Sequence, residues 1–507
     1  MSFARTLRRE PQLNDDAYLR ELGYQPVLTR RMGGFGNFAI SFSVISVLSG
    51  CMTLYGFGLV TGGPAVMMWG WVLVGGMVMF VGAGLAEVTS AYPTSGALYY
   101  MADQLGGRTW GWYTGWLNLL GLLGAIAGID YGAALFTGAF LNLQWGIEAT
   151  TGSTMAIFAC ILLLHATLNL FGVRLVSVLN SVSVWWHVAG VAVIVGALVL
   201  IPTEHQSPSF VFGEFTNATG WDNPLYVAAI GLLLAQYTFC GYDASAHLSE
   251  ETTNAQVSAA RGIVRAIAAS WAAGFVLLAG LTFAIQDYTG VQTADVPPAQ
   301  IFLDALGTAG AKALLLVVIG AQLFCGNAET AAASRMVFAF SRDGALPGSH
   351  LWRRVDARTG TPRNAVWLAV AVAGALALPS LWSATAYGAV TAINVIGITP
   401  AYAIPILLRI KNRNRFTPGP WNLGRWGVPI GVIAVGWVAV VTVLFCLPQA
   451  RPEHGLLSVE TFNYAPIALV VVLALASFWW VVAGRRNYDV PAHAHSRAYA
   501  NFEKDIV

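Results

Sequence analysis

The sequence predicts an all-α polytopic membrane protein with 12 transmembrane helices, and its composition and apolar spacing support this fold class. Of the 507 residues, 56% are hydrophobic and only 10% are charged, whereas globular soluble domains carry roughly 25% charged residues. Apolar stretches recur at about 20 residues, the length that crosses a bilayer as a helix. The predicted spans are 35–60, 65–91, 110–140, 154–172, 178–201, 224–249, 263–286, 312–340, 364–380, 384–408, 428–448 and 462–484.

The basic residues predict the orientation of these spans. Of the 27 Lys and Arg residues, all except Lys312 and Arg451 fall in tails, loops or helix ends on one side. Because Lys and Arg are enriched on the cytoplasmic side of membrane proteins, both termini are predicted to be cytoplasmic. We therefore expect a multi-pass protein of the cell (plasma) membrane, with cytoplasmic tails at residues 1–32 and 485–507.

Two predicted spans are interrupted near their centres. Span six runs through apolar residues and then reads Cys-Gly-Tyr-Asp at residues 240–243, and span one has a matching interruption at Leu-Ser-Gly-Cys, residues 48–51. Non-helical backbone at this depth is tolerated only where it is buried or lines a cavity, and secondary transporters build substrate sites from such helices. The alternative is a simple kink at Gly241. The five-span separation predicts two inverted five-helix repeats over residues 33–410, followed by two further helices within 411–484.

Other functional classes find little support in the chain. An ATP-driven pump needs a phosphate loop ending in Gly-Lys-Ser/Thr, and none of the three lysines follows a glycine. The eight histidines lack the spacing of a metalloenzyme within the spans, and the five cysteines are scattered. A channel has no need for a pair of broken helices. We expect no cofactor, no metal and no nucleic acid partner; the expected partners are a small-molecule substrate and membrane lipid, and the oligomeric state is open.

Four segments resemble the amino acid–polyamine–organocation permease superfamily, and within it the amino acid/choline transporter branch. They are FAISFSVISVLSG in span one, GLAEVTSAYPTSGALYYMADQLGG after span two, FCGYDASAHLSEETTNA in span six and ASRMVFAFSRDGALP leaving span eight. The resemblance implies a five-plus-five inverted-repeat fold with broken helices one and six, working by alternating access. It also implies a secondary active transporter, proton-coupled or exchanging, for amino acids or related amines such as γ-aminobutyrate. A choline or polyamine transporter of the same fold is the alternative.

The resemblance assigns one half of a substrate site to span one. Ser49 and Gly50 match a Ser-Gly pair whose backbone amides hold a substrate carboxylate in relatives, and a free helix N-terminus favours an anion. The carbonyls of Ser46, Val47 and Leu48, just before the interruption, are expected to accept hydrogen bonds from a substrate ammonium group.

Span six is expected to supply the other half of the site. Phe239, Gly241 and Asp243 match the F-x-G-x-acid pattern of relatives, and Cys240 lies between them. Two residues before the Phe, relatives place an aromatic side chain that covers the substrate, and that position is Tyr237 here.

Three further polar residues lie deep within spans. His187 aligns with a Lys that replaces a sodium ion in many relatives, and histidine titrates near pH 6.5 when unperturbed. His187 is therefore predicted to exchange a proton during transport; the alternative is a neutral His bonded inside the bundle. Asp130 either binds a substrate ammonium or stabilises a partner such as His165 or His187. Glu329 faces either the bundle or an ion site.

The end of the bundle predicted to be cytoplasmic carries a second group of acids. Glu87, at the end of span two, is expected to brace an inner gate by hydrogen bonds. Glu250 and Glu251, at the end of span six, lie in sequence near Arg261 and Arg265, and they either form gate ion pairs there or are solvated.

Overall fold

The computed structural model describes residues 14–382, 385–449, 451 and 463–491, and most of these residues are helical. Within these residues, eleven helices are long and apolar enough to cross a membrane, and the sixth spanning helix in chain order is a shorter, interrupted one. In chain order the helices are α1 (Gly34–Val60), α2 (Gly63–Ala91), α3 (Arg108–Trp145), α4 (Thr151–Leu170), α5 (Val173–Leu200), α6 (Pro224–Thr238, resuming at Ala244–His247), α7 (Ala255–Phe283), α8 (Pro297–Arg342), α9 (Arg363–Leu381), α10 (Tyr387–Lys411), α11 (Gly424–Leu444) and α12 (Ala465–Asn487).

The predicted all-α polytopic fold is confirmed, with differences at the helix ends. The span predicted at 312–340 is the apolar part of a longer helix, since α8 begins at Pro297 and is kinked at Gly307 (φ 67°, ψ −178°). The prediction therefore missed the part of this helix that precedes Lys312. Residues 1–13 and 492–507 of the two predicted tails lie outside the described residues, and so does residue 462 at the start of the last predicted span.

The first spanning helix is divided at a single residue. Gly34–Ile45 and Val47–Val60 are separate helices, which we call α1a and α1b, and Ser46 joins them with φ 29° and ψ 87°. Residues other than glycine rarely adopt positive φ. The interruption therefore lies before the predicted Ser-Gly pair, because Ser49 and Gly50 are already inside α1b.

The sixth spanning helix has the longer interruption. The first half, α6a, ends at Thr238; residues 239–243 are not helical; and the second half, α6b, is the short helix Ala244–His247. Gly241 has φ 89°, and a Cβ atom there would lie 2.0 Å from Val44 Cγ1, so both conformation and space require glycine. α1a contacts α6b while α1b contacts α6a, so the two broken helices run antiparallel.

Burial separates a central group of helices from a peripheral one. The apolar windows of α1, α3 and α10 are 83–94% buried, whereas those of α11 and α12 are 28% and 11% buried. Large apolar side chains such as Val443, Val470 and Phe478 are more than 60% exposed on the outer helices. Such a surface suits lipid contact, and the two interruptions lie inside the central group.

Candidate substrate site between the broken helices

A narrow cavity lies where the two broken helices meet. Five predicted site residues line it, namely Ser49, Gly50, Tyr237, Cys240 and Gly241. The remaining lining residues come from α1a, α3, α6a, α8 and α10: Val44, Ile45, Ala125, Ile129, Thr238, Cys325, Glu329 and Asn394. The sequence indicated the contribution of α1 and α6 through their interruptions, but no local pattern marked Cys325 or Asn394.

The free backbone donors at the start of α1b differ from those predicted. The amides of Ser49 and Gly50 both donate to the carbonyl of Ser46 at 2.9 Å, so they are already used within the turn. The amides of Val47 and Leu48 have no acceptor among the described residues. An anion at this helix N-terminus would therefore meet Val47 and Leu48, two residues earlier than expected.

The free acceptors also differ from those predicted. The Ser46 carbonyl is occupied, as above, and Val47 and Leu48 lie within α1b, where carbonyls accept from residues four positions later. At the end of α1a, the Val44 carbonyl accepts a hydrogen bond from Cys325 Sγ at 3.2 Å. The Ile45 carbonyl has no donor in the described part of the chain. The acceptors offered to a ligand thus belong to α1a.

His187 lies behind the interruption of α1 and does not line the cavity. Its Nε2 atom is 2.7 Å from Ser46 Oγ, and its Nδ1 atom is 2.8 Å from the Ser183 carbonyl oxygen. A carbonyl only accepts, so Nδ1 carries a hydrogen, and Nε2 of a neutral ring accepts from the Ser46 hydroxyl. The histidine therefore contacts the one residue whose backbone divides α1.

Asp243 supports the interruption of α6 rather than lining the cavity. Its carboxylate accepts hydrogen bonds from the Tyr402 hydroxyl at 2.7 Å and from Asn118 Nδ2 at 3.2 Å. The same Tyr402 hydroxyl accepts from the Gly241 amide at 3.0 Å. Phe239 is also outside the lining, since it is fully buried with its ring 4.5 Å from that of Trp71.

Tyr237, the predicted covering aromatic residue, lines the cavity. Its hydroxyl has no hydrogen-bond partner in the described structure. The hydroxyl lies 3.0 Å from the point where a Cβ atom on Gly128 would be, so glycine at that position makes room for the ring. The ring is therefore placed by packing alone, without a polar anchor.

Asp130 and Glu329, the two acids whose orientation the sequence left open, have different environments. Asp130 is fully buried outside the cavity lining, with Oδ2 3.0 Å from His165 Nδ1, which is the partner considered as the alternative to substrate. Gly326 of α8 packs against this pair. Glu329, also fully buried, lines the cavity, and neither of its carboxylate oxygens has a partner among the described side chains and backbone groups.

Buried ion pairs join the helices at the end of the bundle that carries the N-terminal segment. Glu87 Oε2 is 2.8 Å from Arg409 Nε. Glu250 and Glu251 pair with Arg342 and Arg335 of α8 at 3.0 Å and 2.8 Å. The expected partners from α7 were therefore wrong, because α8 supplies the arginines.

A central cavity enclosed by two antiparallel broken helices defines the protein as a membrane carrier. Comparison with known proteins agrees. A family described as amino acid permease matches residues 32–474. The chain is 38% identical over 497 residues to the amino-acid permease BAT1 of Arabidopsis thaliana, covering 93% of this chain and 95% of the relative. It is 40% identical to the BAT1 homolog of Oryza sativa subsp. japonica, covering 94% and 95%.

A yeast relative extends the comparison. The GABA-specific permease of Saccharomyces cerevisiae is 30% identical over 500 residues, covering 95% of this chain and 86% of the relative. The chain therefore belongs to the amino acid permease family, and it is a multi-pass transporter rather than an enzyme.

Proposed function

We propose that the protein is a secondary active carrier that moves amino acids across the plasma membrane by alternating access at the α1–α6 cavity, with both termini in the cytoplasm. The observation that carries the proposal is the cavity itself. It is lined by Ile45, whose carbonyl is unused, and by Ser49 and Gly50 in the first turn of α1b, the turn in which the amides of Val47 and Leu48 are unused. γ-Aminobutyrate is a leading candidate because a 30%-identical relative is a GABA-specific permease.

A substrate carboxylate has a favourable position at the N-terminus of α1b. The amides of Val47 and Leu48 point their hydrogens out of the helix, and the helix dipole places about half a positive charge at that end. No Lys or Arg is among the described lining residues, so the backbone is the donor available to an anion there.

Choline and polyamines fit the cavity less well. Quaternary ammonium groups are usually held by several aromatic faces, and Tyr237 is the single aromatic residue among the described lining. Tyr242 stacks on Tyr402, with ring centroids 4.4 Å apart. A polyamine would need several acids, and Glu329 is the single acid among the described lining residues.

Uptake by purified protein in liposomes tests the substrate class. Saturable accumulation of γ-aminobutyrate or another amino acid, competed by unlabelled substrate, is the expected result. Uptake of choline alone, or uptake that stays linear in concentration, would contradict the proposal.

We further propose that His187 carries the proton when transport is proton-coupled. A proton on Nε2 would turn that atom into a donor and reverse its hydrogen bond with Ser46, which joins α1a to α1b. Uptake should then rise as external pH falls toward about 6.5, without sodium. His187→Lys should exchange substrate without pH dependence; an unchanged pH profile, or a strict sodium requirement, would place coupling elsewhere.

Glu87 is proposed to brace the inner gate. Its ion pair with Arg409 links the ends of α2 and α10, and its Oε1 also accepts from the Leu423 amide at 3.2 Å. Opening toward the cytoplasm would have to move or separate this contact. Glu87→Gln should keep substrate binding while slowing uptake, and unchanged uptake would remove the assignment.

A further inference from the structure

We propose that Glu329 binds the ammonium group of the transported amino acid, opposite the amides that bind its carboxylate. This inference rests on the proposed function and adds to it the residue that selects for an amine. The chemical class is a zwitterion with a primary ammonium group, carried either on the α-carbon or at the end of the chain.

The Glu329 carboxylate has no hydrogen-bond partner within the described part of the protein. In the described part of the chain it is the one fully buried carboxylate whose two oxygens both lack a hydrogen-bond partner. A buried carboxylate without a partner is costly, because it has lost water and gained nothing in exchange. Such a group persists where a ligand supplies the missing partner.

The other buried acids discussed above do have partners within the protein. Asp243 has Tyr402 and Asn118, and Asp130 has His165. The acids Glu87, Glu250 and Glu251 have arginine partners. Each of these buried acids outside the cavity therefore has at least one partner within the described part of the protein, whereas Glu329 has none.

The surroundings of Glu329 offer no cation from the protein. The buried arginines Arg335 and Arg342 are paired with Glu251 and Glu250. The buried histidines are committed as well. His165 bonds Asp130, His187 bonds Ser46 and Ser183, and His247 bonds Asp243. A positive group must therefore enter through the cavity.

The position of Glu329 suits the ammonium end of an amino acid whose carboxylate lies at the start of α1b. It lies on α8, and its Oε2 is 3.8 Å from where a Cβ on Gly241 would be, so it reaches the interruption of α6. Cys325, one turn earlier, bonds the Val44 carbonyl at the end of α1a. The carboxylate thus shares one cavity with the start of α1b, and a zwitterion can contact both.

Paired ligands that differ by one amine test this assignment. Binding to the full-length protein in detergent is measured by calorimetry for γ-aminobutyrate against butyrate, and for alanine against propionate. The wild-type protein should bind γ-aminobutyrate more tightly than butyrate, and alanine more tightly than propionate. Glu329→Gln keeps the shape and removes the charge, so it should weaken the amine ligands about 10- to 100-fold, the range for a hydrogen bond to a charged group, and leave butyrate and propionate unchanged.

Two controls separate this result from general damage. Asp103→Asn makes the same change at a buried carboxyl in the short helix Ala97–Gly106, away from the cavity, and should keep the amine preference. Glu329→Asp retains the charge and should keep part of it. If Glu329→Gln does not fold, a reduced amine preference in Glu329→Asp with unchanged butyrate affinity supports the same conclusion, and a fully retained preference contradicts it.

Several outcomes would overturn the assignment. Undiminished amine preference in Glu329→Gln would show that the ammonium binds elsewhere, and equal weakening of all four ligands would show a structural role. Sodium stabilising wild type but not Glu329→Gln, with amine preference intact in both, would assign the carboxylate to a sodium ion. If wild type binds no amino acid at all, the proposed function fails together with this inference.

Discussion

Gly50→Ala should loosen the contact between the two broken helices. A Cβ atom at Gly50 would lie 2.5 Å from Thr238 Oγ1, 2.7 Å from Thr238 Cγ2 and 2.8 Å from Thr238 Cα. Rotating the threonine side chain relieves the first two contacts but leaves the third, which is backbone. The helices α1b and α6a must therefore move apart.

The required movement can be read from the distances. Ordinary van der Waals contact begins at 3.4 Å, so the 2.8 Å approach to Thr238 Cα must lengthen by about 0.6 Å. Overpacking of this kind typically costs about 1–3 kcal/mol. Gly50 and Thr238 both line the cavity, so the shift would also lengthen hydrogen bonds to a bound substrate. Losing one such bond lowers affinity by up to about tenfold.

Thermal unfolding in detergent at one fixed scan rate, followed by tryptophan fluorescence, measures the loss of stability. Liposome uptake measures the loss of substrate affinity. Gly436→Ala is the matched control, because its Cβ would meet no atom within 4 Å and the change should be within about 1 kcal/mol. Adding Thr238→Ala to Gly50→Ala should restore part of the loss. If Gly50→Ala matched Gly436→Ala in both assays, the proposed close approach of α1b and α6a would be wrong.

Three further predictions follow from individual contacts. Tyr237→Phe should keep most uptake because the hydroxyl has no described partner, whereas Tyr237→Ala should lose it; equal loss in both would point to a role for the hydroxyl. Gly326→Ala would place a Cβ 2.0 Å from Asp130 Oδ1 and 2.6 Å from His165 Cε1, so Tm should fall by the equivalent of about 1–3 kcal/mol, and an unchanged Tm would argue against that packing. Burial raises the pKa of Asp343 to about 7, so the folded state binds more protons than the unfolded chain above about pH 4. Stability should therefore fall as pH rises from about 4 to about 7, and Asp343→Asn should flatten the Tm profile over that window.

The sequence predicted the spans and the pair of interruptions because both are local signals. Apolar length identifies a spanning helix in any context, and a polar, glycine-containing interruption at mid-span has few structural explanations. The exact residue that divides α1 was not predicted. Ser46 adopts its positive φ with a hydrogen bond from its side chain to His187, which is 141 positions away, and nothing in the neighbouring sequence indicates that contact.

The side chains that face the cavity were harder to predict than the helices that carry them. Central helices are apolar on all sides, so hydrophobic periodicity, which identifies the buried face of a surface helix, gives no direction there. Asp130 and Glu329 both sit in apolar spans as isolated acids, and the sequence could not tell which one meets a ligand. Asp243 belongs to a stronger sequence motif than either of these acids. It nevertheless stabilises the interruption of α6 through Tyr402 and does not line the cavity.

What distinguishes the proposed ligand-binding groups is the absence of a partner within the described part of the protein. Each polar group that shapes the interruptions is matched: Ser46 with His187, and Asp243 with Tyr402. Around the interruption of α1, the groups without a partner in the described structure include the Val47 and Leu48 amides, the Ile45 carbonyl and the Glu329 carboxylate. The amides and the carboxylate have opposite polarity, and Glu329 lines the same cavity as Ser49 and Gly50 of the first turn of α1b. A low-dielectric interior makes unmatched polar groups expensive, so the same features that cost stability in the empty carrier favour a ligand with both an anionic and a cationic end.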